Sequence, residues 1–543
     1  RVRPASVLVC CFNHKAALEL RKRLTDLVGR DAYGVTVQTY HGLALRLLGV
    51  SCGGMNSKVR DEIDFDKLID DAVELLEGRR PIAGVEPDEV RDRVLAGYEH
   101  ILVDEYQDID DPQYRMISAI TGRTLQDPDR KLSILAVGDD DQSIYGFRGA
   151  NVAFIRRFRD DFDADTHHLV ENYRSTRHII EAANRVIGRN RDRMKTDKPI
   201  RIDQGRQLLP PGGPIAARRP ETGGRVAVVS VRDTGAQAVV AADEIEQLRS
   251  LDAGAWSQIA VLSRTRRDLS AVRAALESRG IPVSWPMERN KVPALYRMRD
   301  IHAALVHLRD MQPGNATASE IVETLRGAGI LFENTQSNPW ATMLNGLLDA
   351  WQDETGNAQL PVSACIDFLY ESLIQRRRDE QLGDGIVLST VHSAKGTEYD
   401  HVILCGNWSN GANAREREEE RRVFYVGMTR ARHSLCIIDR TDTRNPFRRE
   451  LAGPCFAPRR ETVTGDGDGM GRACPPHWAQ PFGREYALLG LDDVFMDFAG
   501  QRPRTHPIHG RLSRLTPGTA VCLRPSGKNI QIQGGDGVAI GQL

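Results

Sequence analysis

Three short apolar stretches constrain what this chain can fold into: Val7–Phe12, Ile101–Val103 and Lys131–Val137. None alternates polar with apolar residues, and each is too short for a buried helix. A strand covered on both faces, as in a parallel sheet, has this pattern. Helical periodicities separate them. Behind Asn13, a suitable N-cap, Ala16, Leu20, Leu24 and Val28 recur at i, i+4, and Val35–Gln38 reads as a strand before a helix carrying Leu43, Leu47 and Leu48. Strands alternating with helices predict a parallel, doubly wound sheet. One stretch runs straight into carboxylates in HILVDEYQD, at Asp104 and Glu105, and another into Gly138-Asp139-Asp140-Asp141-Gln142. Ligands of open α/β sheets bind beyond the carboxyl ends of the strands. Two strands ending in acidic residues at one edge suit a magnesium–nucleotide site, with one carboxylate at the metal and another polarising an attacking water. Taken alone, HILVDEYQD is equally a strand that stops at a solvated acidic turn.

The strand–helix pattern returns further on, at Arg225–Val229, Ile259–Leu262, Leu269–Ser278, Ile386–Leu388, Val402–Leu404 and Leu435–Ile438. The expected organisation is two α/β domains, 1–162 and 163–440, with helical insertions at about 51–97 and 296–380. Residues 441–484, rich in Arg, Pro and Gly and including Gly465–Gly471, read as a linker, and 485–543 as a small β-rich domain built on runs such as Ala520–Leu523 and Ile530–Ile532. At 543 residues the chain exceeds a single core. A net charge of −1 leaves nucleic-acid binding to a local basic groove. Nine cysteines without a CxxC argue against a zinc site or disulfide framework and fit a reducing cytoplasm, and no run reaches membrane-spanning length.

The motifs, in order, resemble the superfamily 1 DNA helicases of the UvrD, Rep and PcrA type. VLVCCFNHKAA is similar to their motif Ia, VTVQTYHGLALRLL to Ib, DEYQD to II, VGDDDQSIYGFRGA to III, ENYRST to IV, LSTVHSAKGTEYDHVIL to V and EEERRVFYVGMTRAR to VI. DEYQDID and NYRST also resemble a subgroup in which the module is fused behind a RecQ-type helicase. The resemblance implies two RecA-like parallel-sheet domains with helical insertions and a 3′-to-5′, ATP-dependent motor on single-stranded DNA and single-strand/duplex junctions. It also implies a role in DNA repair, a nucleoid-associated cytoplasmic location and protein partners met through the β-rich tail. Asp104 and Glu105 would serve Mg2+ and the attacking water, Gln142 would sense the γ-phosphate, and Arg174 and Arg430 would act as arginine fingers. Tyr173 would stack on the adenine of ATP, with Gly396 and Glu398 near the nucleotide. For DNA the resemblance implies Phe12, Tyr145 and Phe147 as stacking rings, and Thr39, His41, Arg148 and His392 as polar contacts. Stacking suits a translocase because every base has a π-face.

The sequence departs from the family in lacking GxxxxGK[ST]; Gly527-Lys528 continues with Asn529 and lacks the upstream glycine. In the family this phosphate loop precedes motif Ia, which would put it before Arg1. Two accounts compete. The chain is a piece of an intact helicase, favoured by the absence of an initial Met, or it binds DNA or a partner without hydrolysing ATP. On either account the chain as given is expected to lack ATPase activity.

Overall fold

In the computed structural model the described residues are 2–49, 67–81, 86, 89–251, 254–286, 295–312, 314–331, 339–355, 357–376, 381–382, 385–443, 445–460, 495, 497–500, 502, 506–515, 519, 521–527 and 529–542. The chain divides into two compact units: residues 1–169, 191–198 and 293–379 in the first, and 170–190, 199–292 and 380–543 in the second.

The first unit is built on a four-stranded parallel sheet. β1 (Val7–Cys11) leads into α1 (His14–Val28), whose N-cap Asn13 accepts the Ala16 N–H at 2.8 Å. β2 (Thr36–Thr39) then leads into α2 (Tyr40–Leu47), and β3 (His100–Val103) and β4 (Ser133–Ala136) complete the order β2-β1-β3-β4. On one face Leu8, Cys10, Ile101 and Val103 pack with Tyr40 and Leu43 of α2 and with Met116, Ile117 and Ile120 of the helix Asp111–Thr121. On the other face, Ala17 of α1 lies on Val9, Cys11 and Val37.

That second face carries a continuous apolar row, because Val37 is paired with Val9, Val9 with Leu102, and Leu102 with Leu135. The covering cluster reaches Val37, Val9 and Leu102. At the far end Leu135 is 57% exposed, and Val137 beyond it 52%. The expectation of a fully buried strand over Lys131–Val137 is therefore corrected: Leu132, Ile134 and Ala136 turn into the core, Leu135 and Val137 do not, and β4 is an edge strand with one face open. An apolar run records what a strand can bury, not whether a helix lies over it.

The second unit holds an eight-stranded sheet in the order Gln381–Leu382, Val283–Pro286, Ile386–Thr390, Ile259–Ser263, Tyr399–Cys405, Ala431–Arg440, Val226–Val231 and Phe456–Arg460. All its pairs are parallel except the first. Its core joins Val229, Val261, Leu388, Ile403 and Ile438 to Ile245 and Leu269 of the flanking helices. Phe456–Arg460 extends this sheet, although its composition reads as linker; it pairs with Val226–Ser230. The helices Arg299–Asp310, Ala318–Gly327, Pro339–Thr355 and Val362–Arg376, inserted between strands of this sheet, belong to the first unit, where Pro339–Thr355 packs on α1.

Towards the C-terminus, Cys522–Ser526, Asn529–Gln533 and Ala539–Gln542 form an antiparallel sheet, as the β-like runs suggested. Gly527, at φ +62°, turns its first hairpin and is no phosphate loop. The glycine run Gly465–Gly471 lies outside the described residues. Among the described residues no helix is long and apolar enough to cross a membrane.

Candidate nucleotide and DNA site

Beyond the carboxyl end of β3, the Asp104 N–H donates to the Cys10 carbonyl at 3.0 Å and prolongs the sheet by one residue. Glu105 then turns into the left-handed region, at φ 52° and ψ 43°. For a residue with a Cβ this costs about 1–2 kcal/mol. Bonds on either side hold it there: the Tyr106 N–H donates to the Val137 carbonyl and the Val137 N–H to the Val103 carbonyl, both at 2.9 Å. Strain held in place by its surroundings clusters at functional sites.

Gln107 follows, completely buried. Its amide nitrogen donates to the Glu105 carboxylate, and its amide oxygen accepts the Asp139 N–H at 2.9 Å. The Asp139 carboxylate in turn accepts from the Gln142 amide at 2.9 Å. One hydrogen-bonded chain therefore links Glu105, Gln107, Asp139 and Gln142, and so joins two of the residues singled out from the sequence. The other two members were missed. Gln107 carried a faint signal, as an amide two residues past a carboxylate pair; Asp139 looked like one acidic residue among three.

The carboxylates of Asp139, Asp140 and Asp141 offer oxygens within 4.8 Å of one another, a grouping able to hold a cation. The chain supplies its own. Arg193 donates bidentately to Asp141 at 2.8 and 2.7 Å, the Met194 N–H donates to Asp140 at 2.8 Å, and the Lys195 ammonium pairs with Asp139. Burial alone would raise the Asp139 carboxyl, but Lys195 and the Gln142 amide outweigh it and hold the group below the usual carboxylate range. Asp140 is pushed up, by burial first and by its acidic neighbours, against the Met194 N–H.

The same loop continues into aromatic residues. Tyr145 stacks on Phe12 with centroids 5.3 Å apart and planes at 22°, and Phe147 lies 6.2 Å from Tyr145. The Arg148 guanidinium lies over both rings, 5.2 Å from Tyr145 and 5.6 Å from Phe147. Tyr145 is buried whereas Phe147 is 69% exposed, so Phe147 offers its surface to solvent on a packed base. Four of the seven DNA-contact candidates thus form one cluster. Thr39 and His41 lie at the start of α2: Thr39 is buried and caps that helix by accepting the Gly42 N–H at 3.1 Å, and His41 is half-buried in its first turn.

The remaining candidates lie in the second unit, where Glu398 meets Arg174. Its carboxylate pairs with Arg174 on one oxygen and Arg432 on the other. Burial opposes its ionisation, but the two guanidinium groups prevail and the pKa falls. Asn172 shapes the preceding turn, its side-chain oxygen accepting the Arg174 and Ser175 N–H groups, each at 2.9 Å. Arg430 is buried and donates to the Val426 and Thr397 carbonyls at 3.0 and 3.2 Å and to the Thr429 hydroxyl at 3.2 Å. Tyr173 is 72% exposed, its hydroxyl donating to Glu171 at 2.8 Å. Gly396, at φ +80°, and His392 lie in the turn after Ile386–Thr390.

The family model of the UvrD/REP helicase N-terminal domain matches residues 1–56 and 54–163, and that of the UvrD-like helicase C-terminal domain matches 167–325 and 341–441. The chain belongs to the UvrD/REP helicase family. Among its relatives, DNA helicase II of Haemophilus influenzae is 27% identical over 69% of this chain and 58% of its own length. ATP-dependent DNA helicase UvrD2 of Mycobacterium tuberculosis is 29% identical over 69% of this chain and 51% of its own. UvrD1 of the same organism is 25% identical over 82% and 78%. The chain thus spans between half and three-fifths of the first two relatives. The UvrD-like match ends at residue 441, before the strand Phe456–Arg460 and the antiparallel tail.

Proposed function

We propose that the chain is the motor portion of an ATP-dependent DNA helicase that translocates 3′ to 5′ along single strands and opens duplex at single-strand junctions. One observation carries this reading: the Gln142 side chain, tied through Asp139 and Gln107 to Glu105, lies three residues from Tyr145, which stacks with Phe12 beneath the exposed ring of Phe147. A hydrolytic network and a base-stacking platform share one loop. The relatives' names, DNA helicase II and ATP-dependent DNA helicase, agree with it.

In this reading Glu105 orients the attacking water and Gln142 hydrogen-bonds the transferring phosphoryl group. The hard carboxylate oxygens of Asp104 and Glu105 at a strand's carboxyl end fit Mg2+, which when bound supplies charge neutralisation for the phosphates. Arg174, Arg430, Tyr173, Gly396 and Glu398 complete the nucleotide contacts, with Glu398 steering Arg174 by its ion pair. Phe12, Tyr145, Phe147 and Arg148 grip bases without regard to sequence, and Thr39, His41 and His392 serve the backbone.

The open end of the apolar row on β4 supports a further strand–loop–helix unit seated there. Parallel strands are covered on both faces, and a helix over Leu135 and Val137 would complete what α1 begins. A strand beside β4 would bring a phosphate-binding loop to the same sheet end as Glu105. The test is single-strand-stimulated ATPase of the full-length gene product, which should collapse in Glu105→Gln. Full activity in that variant would refute the role of Glu105. If the protein instead binds DNA without hydrolysing ATP, the full-length product binds single strands with an affinity indifferent to ATP.

A further inference from the structure

Three adjacent carboxylates on one loop repel each other, and Asp140 and Asp141 are almost wholly buried. Buried carboxylates persist only when paired and hydrogen-bonded. Here all three principal partners come from one tripeptide some fifty residues away, Arg193-Met194-Lys195, and they match in reverse order: Arg193 with Asp141, the Met194 N–H with Asp140, Lys195 with Asp139. Two short segments therefore lie antiparallel, clasped by charge. The Arg193–Asp141 pair is bidentate and nearly solvent-free, the side chains 7% and 1% exposed, and Arg156 anchors the neighbouring Asp192 at 2.5 Å.

Asp139 is where the clasp meets the hydrolytic network. One of its oxygens takes the Lys195 ammonium and the Asp141 N–H; the other takes the Gln142 amide. Lys195 and Gln142 thus share a carboxylate and do not compete for the same oxygen. We infer that Arg193 and Lys195 are positioning residues that fix the Gln142 amide, through Asp139, in the orientation its phosphate-sensing role requires. This rests on the function proposed above. Residues 191–198 belong to the first unit, whereas the segments on both sides of them belong to the second. The clasp is thus borne by chain continuous with the helix Arg177–Ile187 that follows Arg174.

The test uses the full-length gene product with single-stranded DNA. Lys195→Met is expected to lower kcat about tenfold while the KM for ATP stays within about twofold, and Lys195→Arg to recover most of the loss. In a Gln142→Ala background, Lys195→Met should cost less than about twofold more, because a residue acting through another adds nothing once that other is gone. Amide exchange across residues 139–143 should quicken about tenfold in Lys195→Met. A kcat within twofold of wild type, effects of Lys195→Met and Gln142→Ala that multiply, or unchanged exchange would overturn the clasp. Wild-type turnover in Gln142→Ala would instead remove the functional reading beneath it. Should Lys195→Met fail to fold, Arg193→Lys keeps the charge, loses the bidentate geometry and is read by the same criteria.

Discussion

Gly138→Ala is the substitution whose cost follows most directly from the geometry. Gly138 joins β4 to the acidic loop, and its φ lies outside the left-handed region, so alanine meets no backbone penalty. The space does object. A Cβ there would lie 2.7 Å from the Gln107 amide oxygen, 2.8 Å from the Ile155 Cδ1 and 3.3 Å from the Gln107 nitrogen. The Ile155 methyl is the end of a flexible side chain and can swing aside. The Gln107 oxygen cannot move freely, because it is completely buried and holds the Asp139 N–H at 2.9 Å. Displacing it leaves a buried donor and acceptor short of partners, at about 1–3 kcal/mol. Overpacking adds about 1–3 kcal/mol, and the stiffer unfolded chain returns about 0.4–1 kcal/mol. The net expectation is a loss of roughly 3 kcal/mol from the first unit, from these three terms. Amide exchange in β3 and β4 peptides reads that unit's own opening free energy, whatever the second unit does. In a Gln107→Ala background the clashing oxygen is gone, and the cost of Gly138→Ala should fall by about half or more. A loss under about 0.5 kcal/mol, or the same cost in both backgrounds, would refute the steric argument.

Phe147→Ala removes a ring that is 69% exposed, so unfolding should be unchanged while single-strand affinity falls by about 1–3 kcal/mol, equally for homopolymer and mixed oligonucleotides in fluorescence anisotropy. A sequence-dependent loss would refute generic stacking. Glu398 sits below the ordinary glutamate value of 4.5 because Arg432 and Arg174 outweigh its desolvation. Its contribution to stability is therefore present above the unfolded value and is lost as pH falls through the folded one. Acid unfolding of Glu398→Gln should be flatter below about pH 4.5 than that of wild type; identical profiles would mean the two ion pairs do not stabilise the folded state.

What the sequence disclosed depended on how local the determinant was. β1, Asn13 and α1 were legible because cap, periodicity and strand lie within twenty-odd residues of one another. The two carboxylate-ended strands, β3 and β4, were legible for the same reason. The openness of β4 was not, because exposure of Leu135 depends on what covers the sheet and not on its own neighbours. Phe456–Arg460 escaped because Pro458, Arg459 and Arg460 make a poor strand signal, and a proline is tolerated at a sheet edge, where its missing N–H breaks no ladder. The aromatic cluster came into view through the family resemblance, since nothing in spacing alone brings Phe12 to Tyr145. The clasp of Arg193 and Lys195 onto the acidic loop was invisible. It pairs charges across some fifty residues, and a basic residue in a loop ordinarily reads as a solvated one. Likewise, the helices inserted after residue 293 pack with the first unit, which chain order cannot tell.

The clasp and the stacking platform together suggest why this loop is built as it is. If hydrolysis is to alter the grip on DNA, the path from Gln142 to Phe147 must be stiff, because slack would absorb a sub-ångström displacement before it reached the rings. Two short 3-10 turns, Asp140–Gln142 and Gly146–Arg148, form the two ends of that path. The Ser143 hydroxyl donates to the Gln107 carbonyl at 3.2 Å between them, and the Arg148 N–H donates to the Tyr145 carbonyl at 2.8 Å across the second. Ser143, Ile144 and Tyr145 are all buried, so the middle of the path is held away from solvent. Past Phe147, Gly149 adopts φ +90° and ends the turn, its N–H donating to the Gly146 carbonyl at 3.1 Å. A hydrogen-bonded stretch thus runs from the clasped carboxylates to the exposed ring. A motor that converts phosphate chemistry into a change of base stacking needs rigidity over that stretch.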